Sequence, residues 1–291
     1  MASSSYYHHH LYSYYYYYLF LSLLLSSSSS SADDPTSFIY AGCSQSKFSP
    51  GSPFQLNLDS LLSSLSSSSS LSSFSNLTSL SSSSSSSPAF GLFQCLPDLP
   101  LPSCSSCIHS ALSQLSVLCS SATSAALRLH SCLLRYSNTS FFSHPDTTLL
   151  LKTCGPPLTP ATFSTDITAM RDTVLSQLLQ SPALTSTYRT AASGYFQADS
   201  QCDGDLSTKA CDDCMAAAAA QLRAACSDAL SGDVYLGRCF ARFWSNGVYS
   251  HKPSTGDEAG KTFAIIIGLL AGVALLIVFL SFIRRAASGA K

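Results

Sequence analysis

Hydrophobic and polar positions divide the 291-residue chain into two unbroken apolar runs and several amphipathic blocks between them. The longer run, FAIIIGLLAGVALLIVFLSFI at 263–283, has 21 residues and no charge. As a helix rising 1.5 Å per residue it would be about 31 Å long, which matches a bilayer's hydrocarbon core. It is predicted to span a membrane once. Arg284 and Arg285 follow it and Asp257 and Glu258 precede it, so the positive-inside rule puts the C-terminus in the cytoplasm. The shorter run, YLFLSLLL at 18–25, cannot span, and the small residues ending at Ser30-Ser31-Ala32 suit signal peptidase. Its flank departs from the usual pattern: His8 to His10 and Tyr14 to Tyr18 stand where Lys or Arg is expected. The reading is a signal peptide at 1–32, a stalk at 251–262, a transmembrane helix at 263–283 and a cytoplasmic tail at 284–291, RRAASGAK, too short for a kinase.

The blocks between the runs predict helices. In 161–184 an amphipathic stripe runs through Phe163, Ile167, Met170, Val174, Leu175, Leu178 and Leu179, with Ser164 or Thr165 as its cap. Segment 107–127 has Ile108, Leu112, Leu115, Val117 and Leu118 at helical spacing, and 214–230 is rich in alanine. Residues 57–87 are mostly serine, interrupted by Leu61, Leu62, Leu65, Leu71, Phe74, Leu77 and Leu80. There a short helix over 57–66 is expected, then a floppy loop, with 81–87 polar enough for disorder.

Cysteine spacing reveals a repeat. Cys95, Cys104, Cys107, Cys119 and Cys132 are separated by 9, 3, 12 and 13 residues, and Cys202, Cys211, Cys214, Cys226 and Cys239 repeat those four intervals. With Cys43 and Cys154 upstream, each repeat holds six of the chain's 12 cysteines, which in a secreted chain argues for three disulfides per domain. The domains are read as 36–142 and 147–250. A CxxC can also hold zinc or act as a redox dithiol. Zinc is disfavoured because His109 beside Cys104 and Cys107 has no histidine counterpart in the second repeat. If each helical block is one helix, Cys107 and Cys119 stand about 18 Å apart, as do Cys214 and Cys226, against a limit of about 7 Å between bridged Cα atoms. Neither pair can be a bridge, so each cysteine must reach another element.

The C-x8-C-x2-C motif, with GLFQC before it in the first repeat and SCLLRYS and RCFARFW after it in the two repeats, resembles the plant ginkbilobin-homologous cysteine-rich domain. Two such domains, one span and a minimal tail resemble the plasmodesmata-located protein family, as does the opening FIYAGCSQSKFSPGSPFQLNLDSLLSSL at 38–65. The resemblance implies an α+β fold of two tandem disulfide-rich domains, each with two helices on an antiparallel sheet. It implies the bridges Cys43–Cys119, Cys95–Cys104 and Cys107–Cys132, and Cys154–Cys226, Cys202–Cys211 and Cys214–Cys239. It also implies a non-catalytic plasmodesmal membrane protein that modulates cell-to-cell movement through callose and defence, with viral movement proteins and receptor kinases among its partners.

Residue chemistry adds exclusions and surface marks. Glu258 is the single glutamate, so no glutamate is available to the ectodomain for paired-carboxylate catalysis, and no nucleophile with a base is evident. A net charge of −1 with 15 basic residues gives no case for nucleic acid, and no cofactor or metal site is expected. Asp203, Asp205, Asp212 and Asp213 read as a solvated acidic turn. Some ginkbilobin-like domains bind mannose through an amide, an arginine and an acid near the first and last cysteines. Arg128 and Arg135 flank Cys132 and Arg238 and Arg242 flank Cys239, but no full triad is present, and these arginines are assigned to surface or inter-strand pairing. Cell-wall carbohydrate binding, as a receptor, co-receptor or tethered antifungal lectin, is the alternative function. Asn76 and Asn138 head glycosylation sequons. Ala264, Gly268 and Gly272 form a small-xxx-small face, marking Gly268 and Gly272 for helix association into homo- or hetero-oligomers.

Overall fold

The computed structural model describes residues 34–80, 87–158, 165–180 and 187–246. Among them no helix is long and apolar enough to cross a membrane; the signal peptide, stalk, span and tail read from the sequence lie outside them, with Gly268 and Gly272. The chain divides into two units, Met1–Phe141 and Phe142–Lys291.

The first unit runs β1 (Phe38–Cys43), α1 (Pro53–Ser68), β2 (Phe74–Ser79), β3 (Ala89–Cys95), α2 (Leu101–Leu118), β4 (Ser124–Leu129) and β5 (Cys132–Ser137). Its strands form one antiparallel sheet in the order β1-β4-β5-β3-β2. The second unit repeats the plan with β6 (Leu149–Cys154), α3 (Thr165–Gln177), β7 (Tyr188–Ser193), β8 (Phe196–Cys202), α4 (Thr208–Ala225), β9 (Ser231–Leu236) and β10 (Cys239–Ser245). Its sheet order is β6-β9-β10-β8-β7. Each unit is therefore α+β, with two helices packed on an antiparallel five-stranded sheet.

Helix α1 is longer than composition suggests. The Ser52 side chain accepts from the Gln55 amide at 3.3 Å and Pro53 starts the first turn, where its missing N–H costs nothing. Phe54, Leu58, Leu61 and Leu65 recur at helical spacing and are buried, and Gly91 on β3 gives Leu61 and Leu65 room to approach the sheet. Exposed serines turn back on the helix: Ser64, Ser67 and Ser68 donate to the carbonyls four residues earlier at 2.9, 3.0 and 2.8 Å. Burial of the leucine stripe thus outweighs serine's weak propensity, and the helix covers 53–68 rather than 57–66. The expected floppy loop is in part β2, which pairs with β3 from Phe74↔Gln94 to Ser79↔Ala89. Residues 81–86 lie outside the described residues.

Helix α2 is displaced from its expected position. It starts at Leu101 with a proline in its first turn and stops at Leu118, so Val117 and Leu118 of the predicted apolar face are exposed, at 77% and 51%. Past Cys119 the chain turns through Ser121, φ 56°, and residues 124–127 enter β4, where Ala125 and Leu127 are buried. Likewise α4 ends at Ala225, so 226–230 are not helical. In α3, Ile167, Val174 and Leu175 face the core with Leu178 just beyond, while Phe163 and Ser164 lie outside the described residues, as does the side chain of Thr165.

Core chemistry in the first unit makes one pH-dependent prediction. Tyr136 on β5 is buried and donates to the Ala122 carbonyl at 3.0 Å, and burial pushes its phenol up to about 12. Because the folded value exceeds the unfolded value near 10, the stabilisation is complete below pH 10 and is lost as pH rises toward 12. The first unit should lose about 1–2 kcal/mol between pH 9 and 11. Tyr136→Phe should cost about 1 kcal/mol at pH 7, since it orphans the Ala122 carbonyl, and should flatten the alkaline loss. Denaturant unfolding read by circular dichroism across pH checks both.

Candidate functional site

The cysteines occupy equivalent places in both units. In the first, the bridges are Cys43–Cys119, Cys95–Cys104 and Cys107–Cys132; in the second, Cys154–Cys226, Cys202–Cys211 and Cys214–Cys239, with Cα separations of 5.3–6.2 Å. These are the pairs that the resemblance implies. The two cysteines of each CxxC go to different strands: Cys104 to the end of β3, Cys107 to the start of β5. Cys95 and Cys132 are themselves cross-strand partners, as are Cys202 and Cys239. The motif that first suggested a metal or redox centre instead fastens one helical turn to two adjacent strands. No cysteine is free.

Of the four acidic residues around the second motif, Asp203 and Asp205 are enclosed rather than solvated. Arg238, 1% exposed, donates from Nε to Asp203 Oδ2 at 2.7 Å, from Nη2 to Asp205 Oδ1, and from Nη1 to the His144 carbonyl at 3.2 Å. The carboxylates of Asp203 and Asp205 are equally enclosed, with side-chain exposures of 7% and 3%. Burial opposes the Arg238 charge, but the two carboxylates outweigh it and hold the guanidinium above its ordinary pKa. Only Asp212 and Asp213 match the expectation of exposure, paired with Arg189 and Lys209. In the first unit, Leu96 and Ser131 stand where the second has Asp203 and Arg238, and the backbone bond Leu96 N–H to Ser131 O, 2.9 Å, matches Asp203 N–H to Arg238 O, 3.0 Å.

The other flanking arginines also find partners. Arg242 lies opposite Asp199 in the β10–β8 register and grips it with Nε at 2.6 Å and Nη2 at 2.7 Å, an inter-strand pair. Asp233, opposite Arg242 on β9, is raised by burial and by Asp199, against the pull of Arg242. Arg135 lies 4.5 Å from the centre of the Phe141 ring, a cation–π contact. Arg128 is buried, not on the surface.

Catalytic chemistry finds little support in this geometry. Ser66 Oγ approaches His109, but at 3.3 and 3.5 Å from the two ring nitrogens it is in line with neither, and no described carboxylate orients the ring. Beside Cys43, Ser44 meets Thr123 at 3.1 Å, and at the end of β5 remote from Cys132, Ser124 meets Ser137 at 2.8 Å and Ser137 meets Thr139 at 3.2 Å. Among the described residues no cluster of His, Cys, Asp or Glu could hold a metal. Both sequons are accessible, Asn76 on β2 and Asn138 just past β5.

A family model described as salt stress response/antifungal matches residues 42–139 and 154–246, one match per unit. Over 265 residues the chain is 42% identical to plasmodesmata-located protein 6 of Arabidopsis thaliana, covering 88% of this chain and 90% of that protein. It is 41% identical to plasmodesmata-located protein 7 of the same plant over 256 residues, 87% of this chain and 84% of that one. The crystal structure of the tandem DUF26 ectodomain of the Arabidopsis thaliana cysteine-rich receptor-like protein PDLP8 superposes with a TM-score of 0.67 at 38% identity, covering 73% of this chain and all of that one. With the repeated cysteine frame, the two matched domains and relatives aligned over nearly their whole length, the chain belongs to the plasmodesmata-located protein family.

Proposed function

We propose that the protein is a non-catalytic type I membrane protein of plant plasmodesmata that modulates cell-to-cell trafficking through callose deposition and defence signalling. The observation that carries this reading is 42% identity to a plasmodesmata-located protein across 88% of the chain. Two features agree with it: the uncharged run 263–283 followed by Arg284-Arg285, and six disulfides suited to an ectodomain in the oxidising apoplast. The accessible Asn76 and Asn138 carry glycan in this topology, which endoglycosidase would remove with a gain in gel mobility. A C-terminally tagged copy in leaf epidermis should give puncta at wall junctions that coincide with callose stain, and its overexpression should slow the spread of a mobile fluorescent protein. Uniform plasma-membrane signal with unchanged spread would move the reading to a surface receptor or tethered lectin for cell-wall carbohydrate. The antifungal description of its domains keeps that second reading in view, and a glycan array decides it.

Receptor kinases and viral movement proteins are the partners that the family resemblance suggests. Lateral association in the membrane runs along Gly268 and Gly272. Replacing both with leucine should weaken self-association in a membrane two-hybrid assay; an unchanged signal removes this face from the mechanism.

A further inference from the structure

On the helix side of the first unit, α1, α2 and the segment after β1 line a cavity of about 250 Å³ that opens to solvent. Its walls are mixed: Phe48, Leu58, Leu62, Leu115 and Tyr136 give an apolar floor, polar side chains such as Ser120 and Ser121 stand between them, and the exposed Asp59 stands at the rim. Among the polar neighbours, Gln55 Oε1 accepts from the Gly51 amide at 2.8 Å, Ser116 Oγ donates to the Ser113 carbonyl at 2.8 Å, and the Ser120 carbonyl accepts from Lys47 Nζ at 2.8 Å. The exposed Asp59 carboxylate has no hydrogen bond or ion pair among the described residues.

The second unit shows what the equivalent place accepts. Buried positions of α1 and α3 match in order, Phe54 with Ile167, Leu58 with Arg171, Leu61 with Val174 and Leu65 with Leu178, which sets Asp59 against Asp172. The common cysteine intervals set Ser116 against Arg223 and Ser120 against Ser227. Arg171, buried, holds Asp172 at 2.8 Å and donates to the Ser227 carbonyl, while Arg223 reaches Ser176 Oγ at 2.9 Å. Two guanidinium groups therefore occupy the ground where the first unit has leucine and serine. There the carboxylate has its cation built in; in the first unit it has a cavity.

We propose that this cavity binds a small organic cation, an ammonium or guanidinium head on an apolar body of about one ring. Its volume lies just below the roughly 300–1,000 Å³ usual for ligand pockets, which limits the body's size. The head pairs with Asp59, and the body is covered by Leu58, Leu62 and Leu115 with the Phe48 ring beside it. An anion of the same shape would meet the Asp59 carboxylate.

The test is photolabelling of the full-length protein in plant membranes with 4-azidophenethylamine, the modified residues mapped by mass spectrometry. Labelling should saturate within 48–62 and 112–121 and be displaced by excess 2-phenylethylamine. It should fall about tenfold or more in Asp59→Asn, a surface change that leaves the core intact. Ser116→Arg, which copies the second unit at an exposed position, should close the site and give the same loss. Matched 4-azidophenylacetate should not label there. No displaceable labelling in these segments, labelling undiminished in Asp59→Asn, or equal labelling by the anion would each overturn the proposal.

Discussion

Arg238→Met should destabilise the second unit by about 3–5 kcal/mol, enough to remove a large share of the stability of an ordinary domain. The wild-type pairs need not contribute that much, because desolvating three charges offsets most of their attraction. The cost arises from what the substitution leaves behind: Asp203 and Asp205, each less than one-tenth exposed, facing one another without a cation. Arg238→Lys should rescue little, since one ammonium cannot reproduce a fork that engages two carboxylates and the His144 carbonyl. Removing the charges together, in Arg238→Met with Asp203→Asn and Asp205→Asn, should recover much of the loss. The chain's one tryptophan, Trp244 on β10, makes this measurable, because its fluorescence in a denaturant titration reports on the second unit. An unmoved midpoint in Arg238→Met would show that the enclosed ion cluster is not what holds this corner.

Removing the Cys154–Cys226 bridge, by changing both cysteines to alanine, should cost about 4 kcal/mol. In the chain-entropy account a cross-link across 72 residues restricts the unfolded chain by about that amount. Cys202–Cys211, across nine residues, restricts it by about 2.6 kcal/mol, so its double alanine variant should lie measurably above the first. Local structure sharpens the contrast. Strand β6 is an edge strand, largely exposed, whose register with β9 shifts between Leu149 and Leu151. The bridge ties its last residue to the cap of α4. Hydrogen exchange should therefore accelerate first in β6 when the bridge is lost, while β8 and β10 stay protected. Equal losses from the two double variants would mean that native-state contacts, not loop length, set the contribution.

Much of this fold could be read in one dimension because its strongest constraints are local or covalent. Cysteine intervals survive projection onto the sequence, and so does the stripe of Ile167, Val174, Leu175 and Leu178. What could not be read depends on tertiary context. The serines of α1 look like a linker until Leu58, Leu61 and Leu65 are seen against a sheet. Strand β2 has little hydrophobic alternation because it is an edge, and residues 124–127 look like a helix's last turn until β1 and β5 pair on either side of them. Asp203 and Arg238 are 35 residues apart, so nothing in either neighbourhood announces the other. The cavity beside Asp59 depends on which side chains are missing, and it becomes legible only when the two units are compared.

In each unit, two cysteines on one helical turn are bonded to two cysteines that face each other across neighbouring strands. A helix bolted at two points has no slide or rotation left, whatever fills the space beside it. The cross-links therefore separate shape from content. Leucine can become arginine, or serine arginine, between the same helices without the backbone having to follow, and one repeat can keep a vacancy that the other has filled. A framework of this kind lets a duplicated domain change its interior chemistry at little risk to its architecture.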